Sequence, residues 1–394
     1  MFLIGFNFRA NAVIYVYIIS IFSIIFFNFE KRITKNLFYV FLFFINVMIS
    51  VLLYNLNQSV NNMIKYFSFV ILYYSMYLFY KKLKDRYLDL ENLIEIFFLQ
   101  VFFFNLGNIF HMIGNVLLTD TESFNIGKRV VYDIWTRNST PTTIMVGWGC
   151  LVVPTLIFSF EKRKKYKYKY LICIFLEIVY IFYSFKFATR LGIFNFILVL
   201  IFFFILKLIQ KDLIMTKKGI FKVILLSLII CLFSGKIISF IQNSNLYIRM
   251  TKDSISFLNS TGRGEATLFL LLNFNKSFFG GEYFTNAYGL QQHNIIFQIY
   301  DLYGIIPFFI FLIIISKTII NTYKIFKHKK INNINKRFFI LFFISLIAYL
   351  FEEPAFTSNF IIVEILFIYL AFSEIICKEK DWKIRSNYNN GKKY

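Results

Sequence analysis

Residues 188–211 read ATRLGIFNFILVLIFFFILKLIQK. From Leu191 to Leu206 no residue is charged, and an Arg stands at one end and a Lys at the other. A hydrocarbon core about 30 Å thick takes roughly 20 predominantly apolar residues per helix, because only a helix satisfies its own backbone hydrogen bonds there. The stretch therefore reads as a membrane-spanning helix. Comparable runs recur at 10–28, 36–55, 62–80, 93–118, 141–160, 170–186, 221–241, 294–316, 338–352 and 359–376. The expectation is an all-α, polytopic integral membrane protein with about eleven transmembrane helices.

Composition agrees. Of 394 residues 58% are hydrophobic and 21% aromatic, and the mean hydropathy is +0.63, too apolar for a chain whose surface must face water. The net charge of +22 would suggest nucleic acid in a soluble protein. Here the basic residues fall in short clusters between apolar runs, which is how topology is encoded, so nucleic acid is excluded as a partner. Cys150, Cys173, Cys231 and Cys377 lie far apart without a C-x-x-C, which supports neither a disulfide framework nor a zinc site.

Sorting alternate loops to the two sides places 31 lysines and arginines on one side and 12 on the other, together the 43 of the chain. The richer side, with EKRITK, KKLKDR and EKRKKYKYK, is cytoplasmic by the positive-inside rule, which puts the N-terminus outside. Residues 1–376 then form a single transmembrane domain, and 377–394 a polar cytoplasmic tail. Two outer loops are long, 119–140 and 242–292, the latter lying between the eighth and ninth spans. Loops of that size are uncommon unless functional or disordered. The loop 242–292 carries signs of order: Ser260 or Thr261 can cap a short helix beginning near Gly262, with Glu265 in its first turn.

On this topology Arg190, Arg263 and His293 all fall at the outer mouth. Lys186 and Arg190 are four apart and share a face if one helix runs through both. Arginine suits a diphosphate, because its planar fork donates two parallel hydrogen bonds and keeps its charge. A lone Arg at a helix end is equally what snorkelling produces, and Arg263 can simply pair with Glu265. His293 suits general-base work at neutral pH and equally suits an interfacial position at a helix start. His328, within KIFKHKK, is expected to be solvated, and His111 to be packed. Glu177, Asp301 and Glu364 lie at membrane depth, where charges are costly and are functional or paired, so transport is a competing class. The outer acids show no D-x-D pair, which favours a mechanism without metal or cofactor.

Ala188-Thr189-Arg190 ahead of an apolar run, Thr261-Gly262-Arg263 in the outer loop, Gly280-Gly281, and His293-Asn294 leading to Asp301-Leu302-Tyr303-Gly304 together resemble the O-antigen ligase and polymerase superfamily. The resemblance covers roughly 135–376 and includes Arg137, Pro141 and Thr142 as an upstream R-x-x-x-P-T run. The chain departs from the family in having Thr189 before the first Arg, Gly280-Gly281 for G-x-G, and Asp301 for Glu. The resemblance implies a GT-C-like glycosyltransferase of the bacterial cytoplasmic (inner) membrane, with its active site facing the periplasm or outside. Donor and acceptor would be undecaprenyl-diphosphate-linked oligosaccharides, joined as repeat units of an O-antigen, capsule or exopolysaccharide. A ligase transferring finished glycan to lipid A core uses the same residues, and a flippase is the reading of another class. Arg190, Arg263 and Lys186 would hold the diphosphate, His293 would take the proton, and Asn294, Glu265, Gly280 and Gly281 would support them. A flippase and a chain-length regulator would be its partners in the bilayer.

The orientation has a direct check. A cysteine at Asn286 should react with an impermeant maleimide from outside intact cells, and reaction only from the cytoplasmic side would reverse the topology.

Overall fold

A computed structural model describes residues 12–27, 34–54, 60–85, 89–119, 130–132, 134, 139–141, 148–187, 189–212, 239, 242, 244, 247, 263–288, 294–352 and 360–378. Its helices are α1 (Ala12–Phe27), α2 (Lys35–Tyr54), α3 (Val60–Asp85), α4 (Leu90–Leu118), α5 (Val152–Glu161), α6 (Lys167–Lys186) and α7 (Arg190–Ile209). They continue as α8 (Arg263–Leu272), α9 (Tyr283–Tyr288), α10 (Ile295–Tyr303), α11 (Ile305–Lys327), α12 (Asn333–Glu352) and α13 (Phe360–Cys377). Among the described residues six of these, α2, α4, α6, α7, α11 and α12, are long and apolar enough to cross a membrane. The expected span 221–241 lies outside the described residues, apart from residue 239 and the flanking 242.

The structure corrects three expectations. The run 141–160 does not start a helix at 141: Ser139–Pro141 is a strand that pairs antiparallel with Val130–Tyr132, and the helix opens as a 3₁₀ turn, Trp148–Leu151, before α5. That two-stranded ladder also gives part of the expected outer loop 119–140 regular structure. It hangs on the end of α4, where Ile134 N–H donates to Asn115 Oδ1 at 2.8 Å and Tyr132 N–H to Thr119 Oγ1 at 2.9 Å. The run 294–316 is two helices, α10 and α11, broken at Gly304, and the second runs on to Lys327. His328 is not solvated: it is 8% exposed at the end of α11, and its Nδ1 accepts from the Lys330 N–H at 3.3 Å.

The core gathers on α13, buried along nearly its whole length between Ile361 and Ile376. A helix apolar all round belongs inside a bundle. It packs on α3, α11 and α12. Lipid tails are as apolar as leucine, so close packing and interhelical hydrogen bonds, rather than expulsion from water, must hold such helices together. Phe97 of α4 supplies one such contact. Its ring stacks on Phe372 of α13 at 4.5 Å and meets Phe342 of α12 edge-on at 5.2 Å. Asn195 of α7 donates to Ser345 of α12 at 2.8 Å, and Ser68 of α3 to Glu364 of α13 at 2.5 Å.

The helix ends that carry the basic clusters meet on one side. Lys162, after α5, pairs with Glu91 at 2.8 Å, and Lys165 with Glu95 at 2.6 Å, both acids near the start of α4. Arg337, 3% exposed near the start of α12, grips Glu161 with Nε at 3.1 Å and Nη2 at 2.7 Å, and also binds Asp212. Lys378 pairs with Glu374 at 3.1 Å, and Asn36 donates to the same carboxylate at 2.7 Å. Within this layer these contacts tie the ends of α4, α5, α7 and α12 to one another, and the end of α13 to the start of α2.

Breaking such a buried pair strands a charge, which costs about 3–5 kcal/mol. Arg337→Ala should therefore lower unfolding stability in detergent by about that amount, and adding Glu161→Gln should recover part of the loss. Equal stability of Arg337→Ala and the parent protein would show that the layer does not hold the bundle.

Candidate functional site

The break at Gly304 organises the residues around it. Gly304 has φ +86°, and Gly280, from the chain segment lying across it, has φ +91°. Both values are in the left-handed region that side-chain-bearing residues avoid. A Cβ on Gly280 would stand 2.6 Å from the Leu302 carbonyl oxygen, and one on Gly304 would stand 2.6 Å from the carbonyl carbon of Phe279. The two backbones are in contact because neither carries a side chain. Hydrogen bonds fix the crossing: Gly281 N–H to Leu302 O at 3.2 Å, Glu282 N–H to Asp301 O at 2.9 Å, and Ile305 N–H to Phe278 O at 2.9 Å. Gly281, φ +97°, rests on the Tyr54 ring at the end of α2.

Asp301 completes the clamp. It is 1% exposed, and its carboxylate accepts from Ser277 Oγ at 2.9 Å, Phe284 N–H at 2.8 Å, Thr285 N–H at 3.1 Å and Thr285 Oγ1 at 2.9 Å. The two backbone donors are first-turn N–H groups of α9, which have no partner within a helix. Asp301 thus caps α9 from a neighbouring helix. The residue in α9's own cap position, Glu282, is at φ +59°. Burial, and after it the charge of Asp301, holds the Glu282 carboxyl above the usual carboxylate range. Beneath this turn Leu270, Phe284 and Tyr300 form a small core, with the Phe274 ring stacked on Tyr300 at 4.0 Å.

From the opposite side α2 and α3 hold the same break. Ser50 Oγ donates to Tyr303 O at 2.8 Å, taking a carbonyl that the end of α10 leaves without a helical donor, and Tyr303 OH donates to Tyr66 OH at 2.7 Å. Asn294 is the N-cap of α10, its Oδ1 accepting from Ile296 N–H at 2.9 Å. That oxygen serves the helix start.

The remaining expected site residues belong to other elements. Arg263 and Glu265 lie in the first turn of α8, as the expected helix near Gly262 requires, and α8 packs on α9, which packs on α10. Their side chains, and His293 altogether, lie outside the described residues. So do Ser260 and Thr261. Lys186 ends α6 and Arg190 begins α7, both half-buried. No single helix runs through them: α6 closes at Phe187, and Thr189 N–H turns back to Ser184 O at 3.0 Å. The shared-face argument for Lys186 and Arg190 therefore fails. α12 packs on both α7 and α10, so it is the element that links Arg190's helix to the Gly304 unit. Sequence reading grouped Asp301 with the membrane acids, and its role as a clamp became visible only with the loop folded over it. The signal available was D-L-Y-G downstream of a Gly-Gly pair.

Compared with protein-family models, with curated proteins and with solved structures, the chain gives no match.

The glycines rank by what a methyl would meet. Gly280→Ala and Gly304→Ala, each with backbone atoms inside 3.0 Å as well as a positive φ, should cost more than Gly281→Ala, which meets only the Tyr54 ring at 3.2 Å. The backbone term alone is about 1–2 kcal/mol. Thermal unfolding of the three variants should follow that order, and equal losses would mean that the crossing is loose.

Proposed function

We propose that the chain is a metal-independent membrane glycosyltransferase that polymerises undecaprenyl-diphosphate-linked oligosaccharide units at the outer face of the bacterial cytoplasmic membrane. The observation that carries this reading is the interlocking of separate pieces of the resemblance. Gly280-Gly281 and Asp301-Leu302-Tyr303-Gly304 meet in one clamped unit, Asn294 caps the helix that ends there, and the helix that begins at Arg263 joins the unit through α9. In sequence these pieces are short and separate, and only a fold that brings them to one place gives them a common purpose.

The chemistry asks for little else. An acceptor hydroxyl oxygen attacks the anomeric carbon while the bond from that carbon to the diphosphate oxygen breaks, and the electron pair leaves with the diphosphate. Charge grows on the leaving phosphate and the sugar becomes oxocarbenium-like, so fixed cations at the phosphate lower the barrier. Arg190 and Arg263 are those cations in this reading. His293 accepts the proton of the attacking hydroxyl. It directly precedes Asn294, the cap of α10, the helix whose other end is the clamp.

The test is elongation by protein reconstituted in liposomes with lipid-linked saccharide from membranes of cells lacking this chain. Longer saccharides are expected. Arg263→Lys should lose turnover nearly as far as Arg263→Ala, on the order of 10²-fold or more, because a point charge cannot replace the fork. Transfer only when lipid A core is supplied would make it a ligase. Movement of saccharide across the bilayer with no bond formed would overturn both enzyme readings.

A further inference from the structure

Along α6 the residues Cys173, Glu177, Tyr180 and Ser184 recur at helical spacing and all are buried. One stripe of this membrane helix therefore faces the bundle. It lies against the short helix that opens at Trp148. The Tyr180 ring covers Gly149, where a Cβ would fall 2.0 Å from Cδ2, and Ser184 rests on Gly192 of α7. About one turn before Tyr180, Glu177 is 3% exposed, and neither of its carboxyl oxygens has a hydrogen-bond partner among the described residues. Asp301 has four donors and Glu364 has Ser68, so Glu177 is the exception among these three acids at depth.

The surrounding polar groups do not relieve it. The Cys150 carbonyl already accepts from Asn195 Nδ2 at 2.9 Å and Ser345 Oγ at 2.5 Å, and the Leu151 carbonyl from Asn105 Nδ2 at 3.0 Å. Asn105, 0% exposed, is left with an Oδ1 that has no partner among the described residues, on the same turn of the short helix. Even with the Asn105 oxygen counted in, this region presents three acceptor oxygens without a donor among the described residues. A metal cation prefers about six oxygens, twice what these residues offer. A proton needs one. It removes the charge, whose burial without a partner is the costliest event in such a place.

We propose that Glu177 is a proton-binding site on the bundle-facing stripe of α6, and that its proton seats the short helix, Trp148 to Glu161, against α6. The inference is independent of the glycosyl-transfer reading. Among the described residues the titratable groups around Glu177 are Cys150 on the 3₁₀ turn, with Cys173 and Tyr180 on α6 itself. α4 offers His111, six positions beyond Asn105, while α7 and α12 face this level with Asn195 and Ser345, which do not titrate. Loss of the proton leaves a carboxylate that must be reached by water. That opens the contact and uncovers Cys150 and Cys173, both 0% exposed.

Two readouts on the full chain in liposomes test this. Dicyclohexylcarbodiimide adds to a protonated acid in an apolar place: the carboxyl oxygen bonds the central carbon, the proton goes to one nitrogen, and the acyl group then migrates to nitrogen with nothing lost. Peptide mass spectrometry should find the adduct on Glu177, declining as pH is raised. Maleimide labelling of Cys150 and Cys173 should climb with pH more steeply in the parent protein than in Glu177→Gln, whose amide keeps the neutral state. No adduct at any pH, or identical thiol profiles in the two proteins, overturns the proposal. Protection of Glu177 from carbodiimide by sodium or potassium would overturn it in favour of an alkali cation. Should Glu177→Gln fail to fold, the adduct and its pH dependence in the parent protein decide the matter alone.

Discussion

At one place in this molecule two backbones cross more closely than a Cβ on either would allow, and the joint between α10 and α11 depends on it. Gly280 and Gly304 meet there, and each is in a conformation that other residues avoid. Helix α10 ends at the contact, α11 begins at it, and the segment 277–285 lies across it. A broken helix exposes carbonyls and N–H groups that lipid cannot satisfy. Here Ser50 takes the Tyr303 carbonyl, Phe278 receives the Ile305 N–H, and Asp301 turns its side chain to the first N–H groups of α9. The break is stable because groups it frees are met by other elements.

The same accounting separates the two ends of the bundle. On the basic side, arginine and lysine meet acids in pairs that bridge helices, with Arg337 between Glu161 and Asp212 as the most enclosed. Such pairs are specific in geometry and contribute less to net stability than their number suggests, because each ion must first be stripped of water. On the other side the joints around the break are made from backbone crossings, caps and tyrosine hydroxyls. A face joined in this second way does not need cations to hold it, which suits the proposed use of Arg190 and Arg263 on a ligand.

Apolar length made the six long helices legible in sequence, since a run able to cross the hydrocarbon has few other uses. It failed where the difference between helix and interruption is a single residue. Gly304 sits inside a stretch that is apolar apart from Gln298 and Asp301, and a glycine there is compatible with an unbroken helix until Gly280 is seen lying on it. The short helix from Trp148 was hidden in the same way, because the residues before it are also uncharged. Lys186 and Arg190 read as neighbours on one face because a spacing of four says nothing about a turn between them. His328 was assigned to solvent by its lysine neighbours, yet it folds inward at the end of α11. The glycine pair and Asp301 were visible as letters, but their meaning was a contact between segments about twenty residues apart, which no local pattern encodes.

The most enclosed helix, α13, is also the last of the described helices to be synthesised. Helices inserted one by one into a bilayer are individually stable before they associate. So α3, α11 and α12 must each wait in the lipid with the surface meant for α13 facing hydrocarbon or one another. Assembly of the bundle is therefore a closing event and not a gradual accretion: the keystone arrives after the arch, and a ribosome that stalls before residue 360 leaves a set of inserted helices without a centre.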